Sequence, residues 1–208
     1  DKQIMVLGMD YFTSADLLSC AMDENTLNVV EAISGSSNIE VFGNGQLVYK
    51  EPGGGHVVSL HQDAAFFEFD GLGPIGTLNY CVDTNLQRNN GPLYVVPGSH
   101  KLGFVEHSDT ASHLGLPEWS TEGAICVEAP AGTALFFHQY LIHGSPPNHS
   151  DIPRPNFINR YTRPQDKVIM PLATSVKMRQ EALEKAKTEP PKRERGLMAR
   201  GERLALAS

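Results

Sequence analysis

The chain has 208 residues, 40% of them hydrophobic and 20% charged, and a net charge of −7. That balance suits one folded domain with a substantial core and excludes a disordered chain. No apolar run approaches the roughly 20 residues of a membrane-spanning helix, so no membrane is expected as a partner.

The charge is uneven. Residues 175–208 hold nine Lys/Arg against five Asp/Glu, which leaves −11 on residues 1–174. An acidic body disfavours nucleic acid. The three cysteines, Cys20, Cys81 and Cys126, form no C-x-x-C pair and read as buried free thiols in a reducing compartment, hence a cytoplasmic protein. The first residue is Asp1, so the natural start is expected upstream, where a targeting segment could lie.

Residues 1–34 read as helical, with Ser14 and Asn25 as helix caps. Gly35-Ser36-Ser37-Asn38 breaks the pattern. Strands are then expected at 46–50, 57–69, 76–83, 92–97, 124–128, 133–142 and 156–162, rich in Val, Ile, Phe and Tyr. Seven or eight strands without long intervening helices predict a mainly β sandwich, jelly roll or barrel. Residues 100–123 form a long irregular insert, a candidate lid or binding loop. The chain thus divides into a β domain over 1–174 and a tail over 175–208. In the tail a charged helix over 176–187 ends before Pro190-Pro191. The tail reads either as a solvated helix with a packed terminus or as a docking segment for an oligomer partner.

The chemistry centres on Ser59-Leu60-His61-Gln62-Asp63. In a strand, residues two apart share a face, so His61 and Asp63 project together. His143 closes an apolar segment at Gly144-Ser145, and a second imidazole there would complete a two-His-one-carboxylate facial triad of the kind used by non-haem Fe(II) oxygenases. Arg154 lies eleven residues past His143. Its planar fork suits a carboxylate, and the Ser145 hydroxyl could share that anion. Arg160 competes for the same role. His56, His107, His113 and His149 read as solvated loop residues. Phe66, Phe67, Phe69, Tyr80 and Trp119 read as core side chains or pocket lining. No phosphate-binding glycine fingerprint and no serine nucleophile elbow is present.

The order His61-Gln62-Asp63, His143-Gly144-Ser145, Arg154, together with Tyr49-Lys50-Glu51-Pro52-Gly53, Asn90-Gly91-Pro92 through Pro97-Gly98-Ser99-His100, and Phe136-Phe137-His138, resembles the phytanoyl-CoA dioxygenase family. The resemblance runs from about Gln46 to Thr162. It implies a double-stranded β-helix of the jelly-roll, cupin-like kind, with Fe(II), 2-oxoglutarate and O2. It carries iron ligation onto His61, Asp63 and His143, and the distal carboxylate of 2-oxoglutarate onto Ser145 and Arg154. Gln46 and Asn79 fall where relatives contact cosubstrate or substrate. It further implies hydroxylation of an unactivated C–H bond of a small molecule, coupled to decarboxylation of 2-oxoglutarate to succinate and CO2. Asp63 favours hydroxylation over halogenation, since halogenating relatives carry a small residue there. Two other readings stand beside this one: a non-catalytic metal-sensing barrel, and a cupin-type metal enzyme that does not use 2-oxoglutarate.

Overall fold

A computed structural model describes residues 4–54, 56–70, 75–81, 84–111, 113–191 and 196–203. The first element is a strand, β1 (Ile4–Met9), followed by helices α1 (Ala15–Ala21) and α2 (Glu24–Ser34). Next come β2 (Ile39–Val41), β3 (Gly45–Lys50) and β4 (Val58–His61), then one 3-10 turn over Asp63–Ala65. β5 (Glu68–Phe69), β6 (Ile75–Cys81) and β7 (Leu93–Val95) lead into the insert. The insert holds a 3-10 turn at Ser99–Leu102 and a small hairpin of β8 (Ser108–Asp109) and β9 (Leu114–Gly115). β10 (Ile125–Val127), β11 (Ala134–Leu135), β12 (His143–Ser145), β13 (Arg154–Thr162) and β14 (Val168–Met170) follow, then α3 (Val176–Ala186) and β15 (Leu197–Arg200).

Helix is expected across 1–34; among the described residues of that stretch it is found only within 15–34, and residues 1–3 lie outside what is described. Residues 4–9 instead pair antiparallel with β3 along their whole length, Ile4 opposite Lys50 and Met9 opposite Gly45. The available sheet edge decides this segment, a tertiary choice that local pattern does not reveal. α1 is capped by Ser14, as expected. The cap of α2 is Asp23 rather than Asn25: its carboxylate accepts from Thr26 N at 2.8 Å, an N–H with no intrahelical partner. α2 ends at Gly35, whose φ of 63° is left-handed and free of a Cβ penalty.

Among the described residues the strands form two principal antiparallel sheets. The larger has β1, β3, β13, β2 and β15 in order, with β6 on the other side of β13 and β11 beyond it. The smaller runs β10-β7-β12-β4. This is the cupin-like, double-stranded β-helix architecture expected, with helices at its N-terminal side and one near its C-terminus. The last described strand of the tail pairs with β2 of its own chain.

β13 is the hinge of the design. Phe157 and Tyr161 point to one face and pack with Tyr11, Leu27, Val30, Ile39 and Val41 in the main core. The Tyr11 hydroxyl donates to Asn159 Oδ1 at 2.6 Å and the Tyr161 hydroxyl to Ala21 O at 3.1 Å, tying the helices to that face. Arg154, Asn156, Ile158 and Arg160 alternate with them and line a cavity between the two sheets. No described helix is long and apolar enough to cross a membrane. Cys20 is exposed and Cys126 half-buried, both free thiols, so neither is the buried thiol expected. The side chain of Cys81 lies outside what is described.

Candidate active site

β4 delivers His61, and β12 delivers His143 directly opposite it in register. Gly144 makes this approach feasible. A Cβ there would lie 2.7 Å from Val58 O and 3.1 Å from Leu60 N. Asp63 is not in the strand expected. β4 ends at His61 and Asp63 opens the 3-10 turn. The turn closes through Phe66 N donating to Asp63 O at 2.9 Å, and Ala64 N donates to Gln139 O at 3.1 Å. Gln62 between them keeps an extended backbone, φ −112° and ψ 140°, so the two side chains still share a face. The segment 133–142 is likewise strand only at β11. The buried Gln139 amide accepts from Phe69 N and donates to Phe69 O, side-chain bonds that replace a ladder.

His61, Asp63 and His143 are all buried, and their ligand atoms lie within 4.8 Å of one another. Asp63 Oδ1 is 3.9 Å from His61 Nε2 and 3.8 Å from His143 Nε2. Each imidazole has its other nitrogen fixed by a backbone carbonyl two residues earlier. His61 Nδ1 donates to Ser59 O at 2.8 Å and His143 Nδ1 to Leu141 O at 2.9 Å. A carbonyl only accepts, so Nδ1 carries the proton and the Nε2 lone pairs turn inward, as a metal ligand requires. Burial holds the His61 imidazole well toward its neutral form, helped by His143 and His113. Such a donor set fits a divalent iron.

The cavity around these residues is about 630 Å³ and is lined by Gln46, Ser145, Arg154 and Asn156, among others. It therefore gathers the three candidate ligands with Ser145, Arg154 and Gln46. Asn79 is opposite Ile158 in the β6–β13 register, but its side chain lies outside what is described. Arg154 is buried at one end of β13. With the Asn156 amide turned to donate to Pro155 O, its oxygen accepts from Arg154 Nη1 at 2.7 Å. Lys50 is buried behind this end. Its Nζ donates to Ser145 O at 3.0 Å and to Pro146 O, and burial, then the Arg154 charge, lower its pKa to about 6. Arg160 sits at the other end: Nη1 donates to Gln46 Oε1 at 2.7 Å, Nε faces Asp63 Oδ2 at 3.5 Å, and the guanidinium lies 5.1 Å from the Phe67 ring centre. Among the aromatic candidates, Phe66 and Phe67 line the cavity, whereas Phe69 is core and Trp119 packs beside Leu60, Leu116 and Ile142. The side chain of Tyr80 lies outside what is described.

The insert supplies two histidines that pattern alone leaves in solvent. His107 is buried; its Nδ1 donates to Val105 O at 2.6 Å and its Nε2 accepts from Gln62 N at 2.9 Å. The Gln62 amide in turn joins Gly103 O, Tyr140 O and Val105 N. The residue between two candidate ligands is thus tied to the insert. His113 Nδ1 donates to Leu114 O at 2.5 Å, and its ring lies 4.6 Å from that of His61. Only the fold reveals these roles, since each depends on where the insert crosses the sheet.

Accepting from Gln62 N requires neutral His107, and burial lowers its pKa to about 4. The folded value lies below the ordinary 6.5. The contribution to stability is therefore fully present above pH 6.5 and is lost as pH falls toward 4. We expect metal-free protein to lose roughly 3 kcal/mol from this group across that window, read as urea midpoints. His107→Gln, which can accept but does not titrate there, should show a shallower slope.

A curled pair of antiparallel sheets around a buried His-Asp-His cluster is the cupin-like fold of non-haem oxygenases. The phytanoyl-CoA dioxygenase (PhyH) family profile matches residues 11–156, more than two thirds of the chain, and the protein belongs to that family. It is 30% identical over 154 residues to a probable alpha-ketoglutarate-dependent hypophosphite dioxygenase of Stutzerimonas stutzeri, covering 69% of this chain and 51% of that one. It is 32% identical over 113 residues to the phytanoyl-CoA dioxygenase domain-containing protein 1 of Mus musculus, covering 50% and 38%. The chain spans about half the length, or less, of these curated relatives. Among solved structures, EvdO2 from Micromonospora carbonacea var. aurantiaca complexed with 2-oxoglutarate superposes with a TM-score of 0.68 at 17% identity, over 77% of this chain and 67% of that one.

Proposed function

We propose that the protein is an Fe(II)- and 2-oxoglutarate-dependent dioxygenase that hydroxylates an unactivated C–H bond of a small molecule. The observation that carries the reading is the pair of inward-facing Nε2 atoms beside the Asp63 carboxylate, in the same cavity as a buried arginine. His61, Asp63 and His143 would hold the iron. Ser145 and Arg154 would hold the distal carboxylate of 2-oxoglutarate, with Gln46 and Asn79 near the cosubstrate or substrate. Bound iron would supply oxidation by O2 coupled to decarboxylation of 2-oxoglutarate to succinate and CO2. The chain's own contribution is position and exclusion of water. Phe66 packs edge-on to His61 and Phe137 against His143, with ring centres 5.6 and 4.6 Å apart, which shields the ligands.

Anaerobic titration of the Fe(II)-loaded protein with 2-oxoglutarate tests this reading through the visible charge-transfer band of the complex. Arg154→Ala should weaken 2-oxoglutarate by about 2 kcal/mol or more, roughly thirtyfold, because it strips a desolvated carboxylate of its charged partner. No band at verified iron occupancy, or an unchanged titration in the variant, would overturn it.

A further inference from the structure

Two guanidinium groups share the cavity face of β13, and the proposed cosubstrate uses one. Arg154 and Arg160 are six residues apart, roughly 20 Å along an extended strand, so one five-carbon dicarboxylate cannot engage both through its distal carboxylate. Arg160 is fixed rather than free to swing. Gln46 holds Nη1, the Phe67 ring flanks the guanidinium, and its side chain is only 12% exposed. Its Nε is buried with no hydrogen-bond acceptor in place. Asp63 Oδ2 stands 3.5 Å away, an ion-pair distance, and its charge would be shared with a bound metal.

The charges then do not balance. Iron at +2, Asp63 at −1, 2-oxoglutarate at −2 and the two arginines at +1 each leave one positive charge in a cavity walled by Phe66, Phe137, Leu93 and Leu172. A buried cation without a counter-ion is costly. The cheapest remedy is a ligand with one negative charge. His113 adds a second requirement. Its Nδ1 proton is committed to Leu114 O, and its buried Nε2 has no partner, so it offers a lone pair to a ligand O–H or N–H.

We propose that Arg160, oriented by Gln46, binds an anionic group of the substrate, which is therefore a small organic acid with one negative charge and an apolar body. This rests on the oxygenase reading above. The test uses Ni(II)-substituted protein saturated with 2-oxoglutarate, titrated by NMR with hexanoate and with its uncharged isostere hexanamide. Hexanoate should bind at least tenfold more tightly. With metal and 2-oxoglutarate kept saturating, Arg160→Gln should abolish that preference, and Arg160→Lys, which keeps the charge, should retain a reduced preference. Equal binding of the two probes by the wild type, or a preference that survives in Arg160→Gln, would overturn the proposal. Failure of the Ni(II) protein to bind 2-oxoglutarate at all would remove the oxygenase reading and this proposal together. Normal 2-oxoglutarate binding without a hexanoate preference would remove this proposal alone.

Discussion

Asp63→Ala should abolish both metal retention and turnover while leaving a folded apoprotein. The carboxylate is the only anionic member of the cluster and faces both Nε2 atoms at just under 4 Å. Disturbing a ligand's outer hydrogen-bond partner already costs about 10–100-fold in metal affinity, so removing the charged ligand itself should cost more. The backbone of the turn is closed by main-chain bonds from Ala65, Phe66 and Phe67 that the substitution leaves in place. Thermal unfolding with and without Fe(II) or Ni(II) separates the two effects. Metal at about 100 times its dissociation constant stabilises a folded protein by roughly 2.7 kcal/mol. The wild type should show that increment and the variant none. A variant that keeps the increment, or keeps activity, would remove Asp63 from the cluster.

Arg179→Ala is expected to cause the largest loss of stability, although the residue sits in a helix that reads from sequence as a charged appendage. α3 is capped by Ser175, whose Oγ accepts from Met178 N at 3.2 Å, and it lays Arg179 against the back of the Asp63 turn. Nη1 donates to Ala64 O at 2.7 Å and Nη2 to Glu68 Oε2 at 2.8 Å; the guanidinium also stacks 3.7 Å from the Phe104 ring centre. Glu68 is completed by the Tyr140 hydroxyl at 2.8 Å. Truncating Arg179 leaves a buried carboxylate and an unmet carbonyl. Breaking such a pair costs about 3–5 kcal/mol. At this chain length a loss of 3 kcal/mol lowers the melting temperature by roughly 6–12 °C. The double variant Arg179→Met, Glu68→Leu should recover most of the loss, because apolar replacement of a whole buried pair is often neutral. Metal affinity should fall in Arg179→Ala as the turn loosens. Wild-type stability in that variant would show that α3 is dispensable.

These residues also show where sequence reading succeeds and where it stops. The strand runs rich in Val, Ile, Phe and Tyr report on themselves, and β3, β6, β7, β10 and β13 fall close to where that composition places them. His61 and Asp63 are two apart in the chain, so their shared face follows from local geometry even though the strand stops between them. His143 and Arg154 were legible through an ordered set of motifs. By contrast, β1 forms because β3 offers an edge. His107, His113 and Arg179 work through contacts 45 to 115 residues away in sequence or across the sheet, and nothing in their neighbours signals that. Arg160 lay between the two cases. Its spacing from Arg154 on one strand face is visible, but its approach to Asp63 is not.

The close approach at Gly144 has a consequence for how such a protein can change over generations. The interval between the two imidazoles is set by main-chain atoms: the β4–β12 pairing, the glycine that permits it, and the carbonyls of Ser59 and Leu141 that orient each ring. The walls of the cavity are instead side chains borne on several strands and the insert. Mutational drift can therefore remodel the walls residue by residue while the His-Asp-His cluster keeps its dimensions. A substitution in the cavity wall thus leaves the spacing of the two imidazoles to the main chain.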